Sequence, residues 1–379
     1  MKILAFFETG YQAGGDDLWR RLELARPASR RLFPLGQPST LGTYDLADPG
    51  QAEAVVALAR NAGIDGFVID CRWQDGAYRH DAALLAPFCR DGFGLALLWH
   101  NGDEPIWAEP LLSEPMLARA EALADCLSAV PAQPVGGGLA LIVESPKQWR
   151  AAARVTGILR QAADRSGVGA LTLIANRAED KGRFVEQGFD ALIDPPPDQW
   201  HSCQPSNHAT GLDFLEVLGG LRDSTDYLDR YFAYLDFTVS RMLNRSQRGR
   251  VLPRVFPAFH DWLAHPGGGA TQLVNRSNRP ADAQLYGMFL ENAMLFTERH
   301  FPAGDQVVFL HSWNKWQDGS QIEPSQWDGD MLWNATRDAI DRGRYQIKCK
   351  SNVMPAQNAA RRDTIAMMCD AARQTLKQT

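Results

Sequence analysis

The chain has 379 residues, 45% of them hydrophobic and 22% charged, with a formal net charge of −6. That composition is ordinary for a soluble globular protein. No basic tract or stripe is present, which argues against nucleic acid as a partner, and no stretch nears the roughly 20 apolar residues of a membrane span. The apolar run after Met1 is too short for a signal peptide, so a reduced, soluble, cytoplasmic protein is expected.

Short apolar runs alternate with helix-length amphipathic stretches along the chain. The runs fall at 2–8, 65–73, 94–100, 139–145, 170–177, 190–194, 251–259 and 307–314. Helical patterns fall at 51–62, 81–89, 115–129, 147–166, 179–187, 225–244, 281–299 and 328–342. Continuous apolar runs flanked by helices indicate parallel strands buried on both faces. Eight such units predict an α/β fold of the (β/α)8 TIM-barrel class over 1–345, with long βα loops. A polar tail, 346–379, is expected to form a helical extension. The pattern is weakest where the sixth run meets Pro195, Pro196 and Pro197, and where the seventh holds Pro253 and Pro257, since proline fits poorly in a central strand. Loops at 9–50, 198–224 and 260–280 are expected to carry specificity, as loops on a rigid scaffold do.

Function in such a barrel gathers at the C-terminal ends of the strands. There the chain places Glu8; Asp70, Arg72 and Trp73; Trp99, His100 and Asn101; Glu144; Asn176 and Arg177; Asp194; His260, Asp261 and Trp262; and Trp313, Asn314, Lys315 and Trp316. Carboxylates can act as acid, base or nucleophile at a glycosidic bond. The faces of tryptophan, of which the chain has 11, stack on the apolar faces of sugars, and amides hold hydroxyls. Structural roles compete at each position. Glu144 or Asp194 can cap the following helix, Arg72 can pair with Asp70, and His100 and His260 can be satisfied by backbone carbonyls. The six cysteines (Cys71, Cys89, Cys126, Cys203, Cys349, Cys369) lack metal-ligand spacing and read as small core residues. His100, His260 and His311 are a conceivable three-histidine set, but no metal and no cofactor is assigned. Asp16-Asp17 and Asp328-Gly329-Asp330 read as solvated surface rather than as sites for a nucleotide-sugar donor.

The segment Trp313-Asn314-Lys315-Trp316-Gln317-Asp318-Gly319-Ser320-Gln321-Ile322-Glu323-Pro324 resembles the W-N-E-W-x-E-G-x-x-x-E-P signature of WbsX-like proteins. These are related to the endo-α-mannosidases of glycoside hydrolase family 99. Leu41-Gly42-Thr43-Tyr44-Asp45-Leu46, Asp48-Pro49, Ala62-Gly63-Ile64-Asp65-Gly66-Phe67, Leu97-Leu98-Trp99-His100-Asn101 and Val255-Phe256-Pro257-Ala258 are similar in the same order. Together these pieces span about 1 to 345. The resemblance implies a (β/α)8 barrel, an association with bacterial surface-polysaccharide genes, and action on glycosides.

Departures from the signature bear on mechanism. The two Glu positions tied to catalysis in family 99 are Lys315 and Asp318 here, and the usual Asn-Glu-Asn after Trp99 reads Asn101-Gly102-Asp103-Glu104. The expected reading is a carbohydrate-active, glycoside hydrolase-like enzyme with a rebuilt carboxylate site. Asp318 is the first catalytic candidate, with Asp261 or Glu323 as its partner. Asp70, Trp73, Trp99, His100, Asn101, Glu144, His260, Trp313, Asn314, Lys315 and Trp316 are expected to bind substrate, with Lys315 suited to an acidic oligosaccharide or polysaccharide. A barrel that only binds glycan and a glycosyltransferase of surface-polysaccharide synthesis remain the alternatives. The oligomeric state is open.

Overall fold

The computed structural model describes residues 1–10, 18–29, 37–109, 113–146, 149–176, 184–194, 250–260, 272–274 and 280–349. Six barrel strands come first: β1 (Lys2–Phe7), β2 (Gly66–Gln74), β3 (Gly94–Trp99), β4 (Gly138–Val143), β5 (Leu171–Ala175) and β6 (Ala191–Ile193). β7 comes in two halves, Val251–Leu252 and Arg254–Val255, and β8 is Val307–Leu310. Neighbours pair in parallel, as Leu4 with Gly66, Phe67 with Leu95, and Lys2 with Val307 show.

The proline that fitted a strand poorly is where the barrel closes. The first half of β7 pairs with β6 and the second half with β8. Pro253, lacking an N–H, interrupts the strand between them, yet its carbonyl still accepts from Phe309 N–H at 2.9 Å. Pro257 lies beyond the strand, before a small antiparallel pair, Phe259–His260 with Gln272–Val274.

The helices are α1 (Leu18–Ser29), α2 (Pro49–Asn61), α3 (Glu114–Ser128), α4 (Ala152–Arg165), α5 (Pro280–His300) and α6 (Met331–Cys349). Asp48 caps α2 by accepting from Gly50 and Gln51 N–H, with Pro49 at the first helical position, where a missing N–H costs nothing. Gly63 follows α2 at φ +84°, and a Cβ there would lie 2.9 Å from Ile340 of α6. α5 and α6 join through Tyr286–Thr336 at 3.0 Å and Arg342–Glu291 at 3.1 Å.

Several expectations need correction. The stretch read as a loop at 9–50 contains α1, which buries Trp19 and Leu22. The helix expected at 81–89 is one turn, Ala82–Leu85, followed by a 3-10 turn, Ala86–Phe88. Residues 184–188 form a turn rather than the end of a helix. α6 runs through position 345 to Cys349, across the boundary drawn for the tail. The helix expected at 225–244, the loop at 198–224, the glycines at 267–269, and Cys203 and Cys369 lie outside the described residues. Among the described residues, no helix is long and apolar enough to cross a membrane.

Successive strand residues face opposite ways, and the two faces form two cores. Leu4, Phe6, Val68, Ala96, Leu98, Ala140, Ile142, Ile174, Ala191, Ile193, Leu252, Val307 and Phe309 fill the barrel interior. Ile3, Ala5, Phe67, Ile69, Cys71, Leu97, Trp99, Val143 and Leu173 join the outer core, which includes Val55, Leu123 and Leu159 of the helices.

Candidate functional site

Extending the inward set by two residues on each strand gives the candidate site. Leu4 and Phe6 lead to Glu8, Val68 to Asp70 and Arg72, and Leu98 to His100. Ile142 leads to Glu144, Ile174 to Asn176, Leu252 to Arg254, and Phe309 to His311. The interior is apolar through the barrel body and turns charged at the C-terminal end of the strands. Contacts between the strand ends agree with this alternation. His100 Nε2 is 2.9 Å from Asp70 and Nδ1 is 2.6 Å from Glu144. Arg72 is 3.3 Å from both Asp70 and His100. Arg254 donates to Asn176 and lies over the Phe6 ring, 4.7 Å from its centroid.

The charges set one another's protonation. Burial disfavours a charged His100, but the two flanking carboxylates outweigh it and raise its pKa to about 9, so both ring nitrogens donate at neutral pH. Burial would raise Asp70, yet His100, Lys315 and Arg72 hold it below the ordinary carboxylate value. Glu8 moves the other way. Burial, and then the negative charge of Asp70, raise it, with Lys315 and Arg72 opposing. His311 is buried among Phe6, Phe256 and Phe259, and desolvation drops its pKa to about 4, leaving it neutral.

The 313–324 motif closes this end of the barrel. Trp313 N–H donates to Phe6 C=O at 2.8 Å, tying the motif to β1. Asn314 then clamps the peptide of Glu8. Its Oδ1 accepts from Glu8 N–H at 2.8 Å and its Nδ2 donates to Glu8 C=O at 2.9 Å. Nδ2 also donates to Tyr44 Oη at 2.8 Å, and Tyr44 donates to Glu323 at 3.3 Å. Asp318 accepts from both the N–H and hydroxyl of Ser320 and lies 3.4 Å from His311 Nε2. Burial opposes its ionisation, but His311, Lys315 and Ser320 hold its pKa below the ordinary value. Lys315 forms no ion pair within 4 Å among the described residues, so it does not simply neutralise Asp318; its charge acts on Glu8, Asp70 and Asp318 together.

The structure thus gathers Asp70, His100, Glu144, Lys315 and Asp318 from the expected set, whereas Asn314, expected to bind substrate, is 0% exposed and spends its amide on Glu8 and Tyr44. It places others elsewhere. Trp99, Trp313 and Trp316 are 0% exposed and present no face to a ligand, because each packs in the outer core. Trp73 is half-buried, with the guanidinium of Arg119 3.5 Å over its ring centre. Asn101 is buried and ties two loops, donating to Ser145 C=O at 2.9 Å and accepting from Ser145 N–H at 2.8 Å. Glu323 is 1% exposed, and burial raises its carboxyl to about 8. It accepts from Tyr44 and is no surface partner for Asp318. Glu104, in the segment where a displaced carboxylate could sit, accepts from Trp99, Trp107, Tyr78 and Arg119. Those four donors occupy it structurally. Asp328 is buried in a turn with Ser325 rather than solvated. Asp194 has the parity of the outer-core residue Leu192.

His260 lies in a short strand, and Asp261, Trp262 and Arg177 fall outside the described residues. Arg254 was missed, although a lone charge in an apolar run was the available signal. Glu8 and Asn176 were recognised as strand ends but given no role.

The fold is shared with solved structures. A family GH99 endo-α-mannosidase from Bacteroides thetaiotaomicron, in complex with BIS-TRIS-propane, aligns at TM-score 0.56 and 15% identity. The alignment covers 93% of this chain and 98% of that one. A glycoside hydrolase-like protein aligns at TM-score 0.57 and 15% identity, covering 89% and 93%. Two proteins called uncharacterized protein WxcX, from strains of Xanthomonas campestris pv. campestris, are 23% and 22% identical over 86% of this chain. The alignments cover 46% of each relative, so the chain spans about half the length of the curated relatives it matches. The model of the glycosyltransferase WbsX family matches residues 120–336, more than half of the chain, and the chain belongs to that family.

Proposed function

We propose that the charged ring holds an anionic glycan, and that the barrel breaks a glycosidic bond in it with Glu8 as proton donor and Asp318 as the ionised carboxylate. The observation that carries this reading is the change along the inward face of the strands, from apolar side chains in the barrel body to Glu8, Asp70, Arg72, His100, Glu144 and Arg254 at one end. A ring of that kind has no use in packing the barrel, and it stands where barrel enzymes keep their sites. Two carboxylates whose surroundings displace them in opposite directions divide the roles of acid and of base or nucleophile. Glu8 is raised and Asp318 lowered. Lys315, where the family signature has Glu, adds a positive charge that favours an acidic sugar. In a partly desolvated site a unit pair at 4 Å interacts by about 4 kcal/mol at an effective dielectric near 20, before desolvation is counted.

The description of the family as glycosyltransferase favours a second reading. The same side chains would then pass the glycosyl group to an acceptor hydroxyl instead of water. Both readings require the acidic-ligand site. Its test is the affinity of wild type and Lys315→Ala for an acidic oligosaccharide and for its carboxyl-reduced, neutral counterpart. Wild type should prefer the acidic ligand, and the preference should shrink in the variant and at high salt. Equal affinity for the two ligands in wild type would overturn the assignment of an anionic glycan.

A further inference from the structure

Behind the charged ring, on the outer face of β2, is a second cluster that the glycan reading does not use. Cys71 sits between Asp70 and Arg72 but, by alternation, faces the helices, and its Sγ is 3.8 Å from Sγ of Cys126 near the end of α3. Cys71 is buried and Cys126 half-buried. His80, just after the hairpin strand Ala77–Arg79, lies near enough to Cys126 for each to shift the other's titration. Its Nδ1 accepts from Ala82 N–H at 3.2 Å.

We propose that Cys126 is a peroxide-reactive thiolate and Cys71 its resolving thiol, so that oxidation staples β2 to α3 one residue from Asp70. The fold brings two sulfurs to 3.8 Å of each other, from which oxidation would draw them to a bond of about 2.05 Å. The asymmetry between them sets the order of reaction. Cys126 shares the Cys71 hydrogen and lies beside His80, which together outweigh burial and hold it below the ordinary thiol value. Cys71 is pushed up by its bond to Cys126 and by burial, with Glu104 and Asp70 adding negative charge, and stays a thiol. The C-terminal turn of α3 disfavours an anion, whereas His80, itself raised by Cys126 and Asp81, favours one. Thiolate character and exposure decide which cysteine is oxidised.

The Cys126 thiolate attacks a peroxide oxygen and the O–O bond breaks. Cys126 becomes a sulfenic acid, and the departing hydroxide takes a proton from solvent and leaves as water. Cys71 sulfur then attacks the sulfenic sulfur, the S–O bond breaks, and the Cys71 proton leaves with that oxygen as a second water. Two thiols are oxidised and one peroxide reduced.

The experiment is alkylation of the intact chain with iodoacetamide at pH 6, read peptide by peptide, followed by hydrogen peroxide treatment and non-reducing mass mapping. Cys126 should be alkylated at least about tenfold faster than Cys89, which burial raises to about 11; lower intrinsic nucleophilicity of an acidic thiolate trims the larger difference in thiolate fraction. Peroxide should link the Cys71 and Cys126 peptides. In Cys71→Ala the product should stop at a sulfenic acid on Cys126, trapped by a 1,3-diketone. Cys126 reacting no faster than Cys89, or both cysteines of wild type remaining thiols after peroxide, would overturn the proposal, and neither wild-type readout depends on a variant folding.

Discussion

Asn314 holds both ends of the Glu8 peptide, accepting from its N–H at 2.8 Å and donating to its C=O at 2.9 Å. The first strand and the motif after the last strand are thereby fixed together at the proposed proton donor. Asn314→Ala leaves both groups without this partner, and each unpaired buried polar group costs about 1–3 kcal/mol. Urea unfolding should show a loss of about 2–4 kcal/mol, and any turnover should fall further than the loss of folded protein explains. A stability change below about 0.5 kcal/mol would mean the clamp is incidental.

His100 predicts a window of pH-dependent stability. Its folded pKa is raised from 6.5 to about 9. The stabilisation is therefore complete below about 6.5 and lost as pH rises through about 9, and the shift corresponds to about 3 kcal/mol. His100→Gln should be less stable than wild type at pH 6, with the gap narrowing toward pH 9.5. Urea melts across that range measure it, and parallel profiles would contradict the carboxylate–imidazolium–carboxylate arrangement.

Glu323 should respond in the same direction for a different reason. Burial raises it to about 8, so its contribution is complete below about 4.5 and lost as pH rises through about 8. Glu323→Gln keeps an acceptor for Tyr44 and removes the titration. From pH 5 to pH 9 it should gain on wild type by up to about 4 kcal/mol in thermal or urea melts. A gap independent of pH would show that Glu323 is ionised throughout.

Glu104 is the buried acceptor for two indoles, a phenol and a guanidinium. Glu104→Ala strands all four donors, and removing one partner of a buried charged pair costs about 3–5 kcal/mol. A Tm drop of several degrees is expected, with the glycan preference unchanged in the folded fraction.

The barrel was legible because each strand is a continuous apolar run, and such runs survive reading without an alignment. The site was only partly legible, because strand ends were taken whole rather than by parity. Arg72 and Trp73, or Trp99 and His100, are chain neighbours, yet only Arg72 and His100 share the parity of the barrel interior. Applying the two-residue period would have set Trp73, Trp99 and Asn101 outside and brought Arg254 in. Parity does not reach Trp313 and Trp316, which lie past the end of β8 and are buried by tertiary packing. The helix α1 was hidden by Pro27 and a weak period. It forms because Trp19 and Leu22 find the core, with Trp19 Nε1 donating to Tyr44 C=O at 3.3 Å.

The central claim is that Glu8 and Asp318 work on a glycosidic bond at the charged end of the barrel. Its most direct test is turnover of an acidic oligosaccharide panel, products read by mass, for wild type, Glu8→Gln and Asp318→Asn, with glycan binding measured in parallel. Positioned acid and base groups contribute about 10²–10⁴ in rate, so each variant should lose at least a hundredfold in kcat while still binding. A water adduct would mark hydrolysis and an acceptor adduct transfer. Unchanged turnover in both variants, or intact binding with no turnover in wild type, would contradict the account.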